Sequence, residues 1–258
     1  MILLDGSSLT LDQLLAIADR TEPVALAPEA AARVRASRAV VDRKALADEP
    51  VYGINTGFGS FAEVKIAPDA LDALQINLLR SHAAGVGDPL PVRAVRATMA
   101  LRANVLAKGF SGIRLETLNA LIALLNRQVH PLVPSRGSVG ASGDLAPLAH
   151  LALVLIGEGE VLQSTVDSRQ STVRSRPATV AVAGAAALER AGLKPVTLGP
   201  KEGLALINGT QPSTAVLALA LAAAERLARA ADIAAALSID ALRAAGARGR
   251  ARGAAVRA

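Results

Sequence analysis

The chain has 258 residues, enough for one large domain or two small ones, and its 52% hydrophobic content is ample for a buried core, which excludes disorder throughout. Aromatic residues are only 2% of the total and cysteine is absent, which argues against an aromatic-rich β-sandwich and excludes disulfides, thiolate zinc sites and a cysteine nucleophile. The net charge of +6 raises nucleic acid as a partner, but Arg243, Arg248, Arg250, Arg252 and Arg257 account for five of those charges, so the body is nearly neutral and no nucleic-acid partner is expected.

An apolar share made mostly of Ala, Leu and Val predicts an all-α, mainly helical protein. The N-terminus has no basic flank and too short an apolar run for a signal peptide, so a cytoplasmic location is expected. Thr10 followed by Gln13 reads as a capping box opening a helix through about residue 18, and a second helix is expected over 28–44. The run Tyr52-Gly53-Ile54-Asn55-Thr56-Gly57-Phe58-Gly59-Ser60 holds three glycines and predicts a mobile loop. Helices resume over 68–82, over 91–108 with Gly109 as a C-cap, and over 113–128; Val92, Val95, Met99 and Leu106 mark one apolar face.

A second Gly-rich loop spans 135–145 and leads into an apolar helix over 145–156 that closes at Gly157. Residues 163–176 hold a tandem duplication, Gln163 to Arg169 followed by Gln170 to Arg176, polar enough to be an exposed insertion. A long Ala/Leu helix is predicted from Ser213 to about Leu242. Its uninterrupted apolar stretch, 215–224, is short of the roughly 20 residues a bilayer span needs, so no membrane is expected as a partner. Beyond Leu242 the composition collapses to Ala, Arg and Gly with one Val, a disordered tail in which a truncated or misread end is suspected.

Chemistry concentrates in the second loop. In a bland reading Asp144 is simply the N-cap of the following helix. In a sharper one Ala141-Ser142-Gly143 cyclises: the Gly143 nitrogen attacks the Ala141 carbonyl and two waters leave, one taking the Ser142 hydroxyl, to give a methylidene-imidazolone. Small residues allow the sharp fold, and the next helix aims its positive end at the ring. Such an electrophile needs no metal or external cofactor.

This segment resembles the signature of the aromatic amino acid ammonia-lyase family. The loop at Tyr52, the turn Ser81-His82-Ala83-Ala84-Gly85-Val86-Gly87, and Asn208-Gly209-Thr210-Gln211 match the family in the same order. The resemblance covers about residues 1–160 and 184–242. It implies an N-terminal mainly helical domain over 1–200 and the start of a central helical bundle over 201–242, and it fails across the duplicated loop and the tail over 243–258. It also implies a catalytic set of Tyr52, Ala141, Ser142, Gly143 and Asn208. The ring from Ala141-Ser142-Gly143 would take the substrate amine, Tyr52 would remove the β-proton, and Asn208 would hydrogen-bond the ring oxygen or the substrate carboxylate. Because a tyrosine in water ionises near pH 10, Tyr52 would need positive charge or hydrogen bonds to favour its phenolate.

Ser81 and His82 resemble the substrate-binding pair of the histidine-specific members, although a helix-end histidine can instead merely cap carbonyls. The resemblance thus implies deamination of L-histidine to urocanate and ammonia by a homotetramer. Tyrosine or phenylalanine ammonia-lyases and aminomutases are the alternatives, with a non-catalytic fragment packing on a partner as an alternative of another class. His150 reads as a satisfied core residue and His130 as helix termination; three scattered histidines suggest no metal site. The family's downstream half supplies a further Tyr, an Arg and an acidic residue that have no counterpart here, which leaves the activity of this chain alone open.

Overall fold

A computed structural model describes residues 1–139, 143–165 and 178–242. The expected Ala141 and Ser142, most of the duplication and the Arg-rich tail lie outside the described residues. The described chain divides into two compact units, Met1–Ala215 and Val216–Ala258.

The first unit is mainly helical. Helix α1, Leu11–Arg20, starts at the predicted capping box: Thr10 accepts from the Gln13 amide and the Gln13 side chain reaches back to the Thr10 amide. Helix α2, Pro28–Ala45, opens with proline at its first position, where no amide hydrogen is missed. Helix α3 covers Leu71–His82 behind a short 3-10 turn, and α4 covers Val92–Ala107. Val95, Met99 and Leu106 of the predicted face are fully enclosed, and Gly109 takes the left-handed φ of +79° that ends the helix. Helices α5, Leu115–Asn126, and α6, Leu145–Leu155, complete the core; α6 is apolar except for His150, and α5 buries Leu118, Leu121, Ile122, Leu124 and Leu125. Helix α7 is Gly184–Arg190 and α8 is Glu202–Ile207. In packing, α4 lies against α1 and α5, while α6 lies against α3 and α8.

Among the described residues six short strands accompany the helices, none of which the sequence predicts. Strand β1, Ile2–Leu4, pairs in parallel with β2, Val24–Leu26; β3, Val86–Pro89, pairs antiparallel with β4, Pro134–Arg136. Strand β5, Glu160–Thr165, pairs antiparallel with β6, Ala178–Ala183, in register from Glu160 with Ala183 to Thr165 with Ala178. The first residues of the duplication therefore belong to a strand, where an exposed loop was expected. Six-residue strands paired across the insertion depend on each other and carry little periodicity of their own.

Helix α9, Gln211–Ala241, begins in the first unit and continues into the second. The stretch Glu202–Ala241 is long and apolar enough by length and composition to cross a membrane, contrary to the expectation drawn from 215–224 alone. Core helices of soluble proteins share that length and composition, and Glu225, Arg226, Arg229 and Asp232 interrupt the apolar sequence of the helix.

Candidate active site

The loop after α2 is held far more firmly than a glycine-rich run suggests. Asn55, 1% exposed, accepts from the Val51 amide at 2.7 Å and donates through Nδ2 to the carbonyls of Lys44, Ala47 and Glu49. These bonds fold residues 51–55 into a turn with Tyr52 on its outer side. Gly53 has φ of +70°, and a Cβ there would lie 2.7 Å from Leu204, so glycine lets this turn close on α8. The Tyr52 ring meets Phe58 edge-on, centroids 6.1 Å apart.

His82 ends α3. Its Nδ1 lies 2.9 Å from the Leu78 carbonyl and 3.1 Å from Ser81 Oγ, while the Ser81 hydroxyl donates to the same carbonyl at 3.0 Å. The carbonyl can only accept, so Nδ1 carries the proton and Nε2 is left as the ring's acceptor nitrogen. The carbonyl-capping role and a role in a cavity are therefore compatible in one side chain.

Tyr52, His82 and Asn208 converge on one cavity of about 350 Å³. Phe58, Leu78, Leu145, Leu204 and Ile207 supply its apolar wall. The volume lies at the lower end of the roughly 300–1,000 Å³ of small-molecule sites, the scale of an amino acid. Ser81 is not among the lining residues; its hydroxyl is used at the helix end.

Asn208 leaves α8 with φ −86° and ψ 102°, its amide still bonded to the Leu204 carbonyl. Gly143 approaches the next residue closely: a Cβ on Gly143 would stand 2.6 Å from the Gly209 oxygen. The Asp144 amide donates to that same oxygen at 2.7 Å. Asp144 occupies the N-cap position of α6 but makes no side-chain cap there. Its buried carboxylate accepts instead from the Ser213 amide and hydroxyl, both at 2.8 Å, and from the Ser138 hydroxyl at 2.6 Å. It thus caps the first turn of α9, joining the loop of 135–145 to the Asn208 turn.

The remaining histidines lie elsewhere. His150 Nε2 accepts from the Gly85 amide at 3.0 Å, and burial holds its pKa below the ordinary value. His130 Nε2 lies 3.2 Å from Arg96 Nη1, and its pKa is lowered to about 4, by burial first and by the Arg96 charge second. Among the described residues no group of three His, Asp or Glu side chains could hold a metal ion.

Two features escaped the sequence reading. Phe58 was inside a recognised motif but without a role. Arg96 and Arg102 lie on the buried face of α4, and charged residues at helical spacing among Val95, Met99 and Leu106 were the signal that could have found them.

A phenol, an imidazole and a carboxamide around an amino-acid-sized cavity, beside a glycine loop that has close backbone contacts, define a small-molecule site equipped for proton transfer. The comparisons specify it further. The family model for aromatic amino acid lyases matches residues 9–258, and the chain belongs to that family. Histidine ammonia-lyases from Anaeromyxobacter dehalogenans and Myxococcus xanthus are 57% and 56% identical over 93% of this chain. The chain spans only 46% and 45% of their lengths. The crystal structure of histidine ammonia-lyase from Trypanosoma cruzi matches with a TM-score of 0.82 at 43% identity, covering 95% of this chain and 44% of that one. Tyrosine aminomutase from Streptomyces globisporus matches with a TM-score of 0.82 at 37% identity, covering 94% and 43%.

Proposed function

We propose that this chain carries the N-terminal part of a histidine ammonia-lyase site, deaminating L-histidine non-oxidatively to urocanate and ammonia in the cytoplasm. The observation that carries the reading is the convergence of Tyr52, His82 and Asn208 on one cavity.

In this reading Ala141-Ser142-Gly143 forms the ring, and the described member, Gly143, is a glycine whose backbone lies so close to Gly209 that a side chain there has no room. When formed, that ring supplies an electrophilic carbon for the amine. Asn208 lines the cavity, and in this reading its side-chain amide donates to an oxygen of the ring or the substrate carboxylate. Tyr52, half-exposed on its anchored turn, takes the β-proton through its side-chain oxygen. His82 offers Nε2 as acceptor for the N–H of a substrate imidazole, with Nδ1 fixed by the Leu78 carbonyl; Ser81 holds the helix end. The apolar wall of Leu78, Leu204 and Ile207 excludes water around the reacting carbon.

The resemblance in fold to a tyrosine aminomutase keeps tyrosine and phenylalanine as alternative substrates. Membership of the family favours a homo-oligomer, a tetramer in the family, and the chain spans 46% of a relative's length, so turnover draws on a downstream half. A non-catalytic fragment packing on a partner is the reading from another class. Intact mass of the purified chain is the first test: a species two waters lighter than the sequence, abolished by Ser142→Ala, supports the ring. An unmodified mass alone or co-expressed with the downstream half of a relative refutes it. Ultraviolet assay of that co-expressed pair with histidine, tyrosine and phenylalanine identifies the substrate.

A further inference from the structure

Arg102 is 2% exposed, yet no carboxylate among the described residues hydrogen-bonds it. Its Nη1 donates to Gln211 Oε1 at 2.7 Å and its Nη2 to the Ala205 carbonyl, while Nε has no partner among the described residues. A buried guanidinium without a counter-ion is costly and needs a compensating role. Its two acceptors lie on either side of one turn. Ala205 is in α8 and Gln211 opens α9, so a single planar fork closes the chain between them, 206–210, from beneath.

Gly209 is at the centre of that turn. A Cβ there would collide with Arg102 Nη1 and with Gln211 Oε1, so the guanidinium occupies the place of the absent side chain. On its other side the Gly209 carbonyl receives the Asp144 amide and touches Gly143. Arg102 thus packs along one side of Gly209, and Gly143 and Asp144 along the other.

We infer that Arg102 is a positioning residue: by clamping the Asn208-Gly209 turn from behind, it sets the place of Gly143, the nitrogen that closes the proposed ring. The inference rests on the ring reading above. A displacement of about 1 Å in such a unimolecular closure slows it about a hundredfold. The clamp acts through two neutral acceptors, so it depends on the geometry of the fork more than on its charge.

The test uses the full chain and two readouts, the rate of loss of two waters by intact mass and amide hydrogen exchange of a peptide covering 143–148. Arg102→Met is expected to slow dehydration about a hundredfold and to speed exchange there about tenfold, with helix content unchanged by circular dichroism. Gln211→Glu keeps an acceptor at the same place and is expected to retain both. Should Arg102→Met fail to fold, Gly209→Ala displaces the fork from the other side while keeping every hydrogen-bonding group, with the same two changes expected. Unchanged dehydration and exchange in the folded variants, or loss of both in Gln211→Glu, overturns the clamp. A wild-type chain that never loses water refutes the ring reading, and the exchange readout then decides the clamp by itself.

Discussion

His130 shows how a single residue couples the core to pH. Protonating it would place a second positive charge beside Arg96, whose guanidinium also holds the Ile17 and Leu125 carbonyls. The folded-state pKa of about 4 is below the unfolded value near 6.5, so above pH 6.5 both states are neutral and nothing is lost. Below it the unfolded chain takes up a proton that the folded chain refuses, and stability falls as pH drops toward 4. His150, lowered by burial, adds in the same direction. The expected loss from His130 at pH 5 is about 1 kcal/mol, allowing for partial solvent screening. Urea unfolding at pH 7.5 and 5 should therefore show a smaller drop for His130→Gln than for wild type; equal drops would refute the coupling. The sequence reads His130 as helix termination, yet α5 already ends at Asn126 and His130 lies beyond it, its carbonyl accepting from the Leu162 amide; its charged neighbour 34 residues earlier is invisible without the packing of α4 on α5.

Elements whose signals are local were legible. The capping box of α1, the proline opening α2 and the glycine after α4 lie within a few residues of the structure they specify. Thr10→Ala should lower stability by about 1 kcal/mol in chemical unfolding, since it orphans the Gln13 amide. Other elements draw on partners far along the chain. Glu202, fully buried at the first position of α8, accepts from the amides of Arg114 and Gly199 and pairs with the Arg114 guanidinium. Glu202→Gln, which leaves Arg114 without its carboxylate, should cost about 3 kcal/mol by the same measurement; a loss below about 1 kcal/mol would mean the pair is solvated. The Asp144 position was read correctly as an N-cap, but its carboxylate serves α9, because Ser213 reaches it across 69 residues. The strands were missed for the same reason: β1 has three residues and exists only through β2.

For the molecule as a whole, the division after Ala215 leaves short α8 with the first unit, because it packs on α3 and α6 there. In the second unit Leu217, Leu227 and Leu237 of α9 are 69%, 71% and 65% exposed. Large apolar side chains exposed along a helix favour association, so the triple change of these leucines to Gln should shift the chain toward monomer in sedimentation velocity at unchanged helix content. A wild-type chain already monomeric at high concentration would refute this. By itself the sequence determined the helical class, the two glycine loops, the candidate residues of the site and a family resemblance, because composition, periodicity and short motifs are local properties of a chain. Only the tertiary structure decided that Tyr52, His82 and Asn208 share one cavity while Ser81 serves the helix end, and that Asp144 and Arg102 hold the Asn208 turn from two sides. The physical reason is that a cavity and a buried hydrogen bond are made by groups distant in the chain, such as Asp144 and Ser213 across 69 residues or Arg102 and Gln211 across 109, and folding alone brings them within 3 Å of each other.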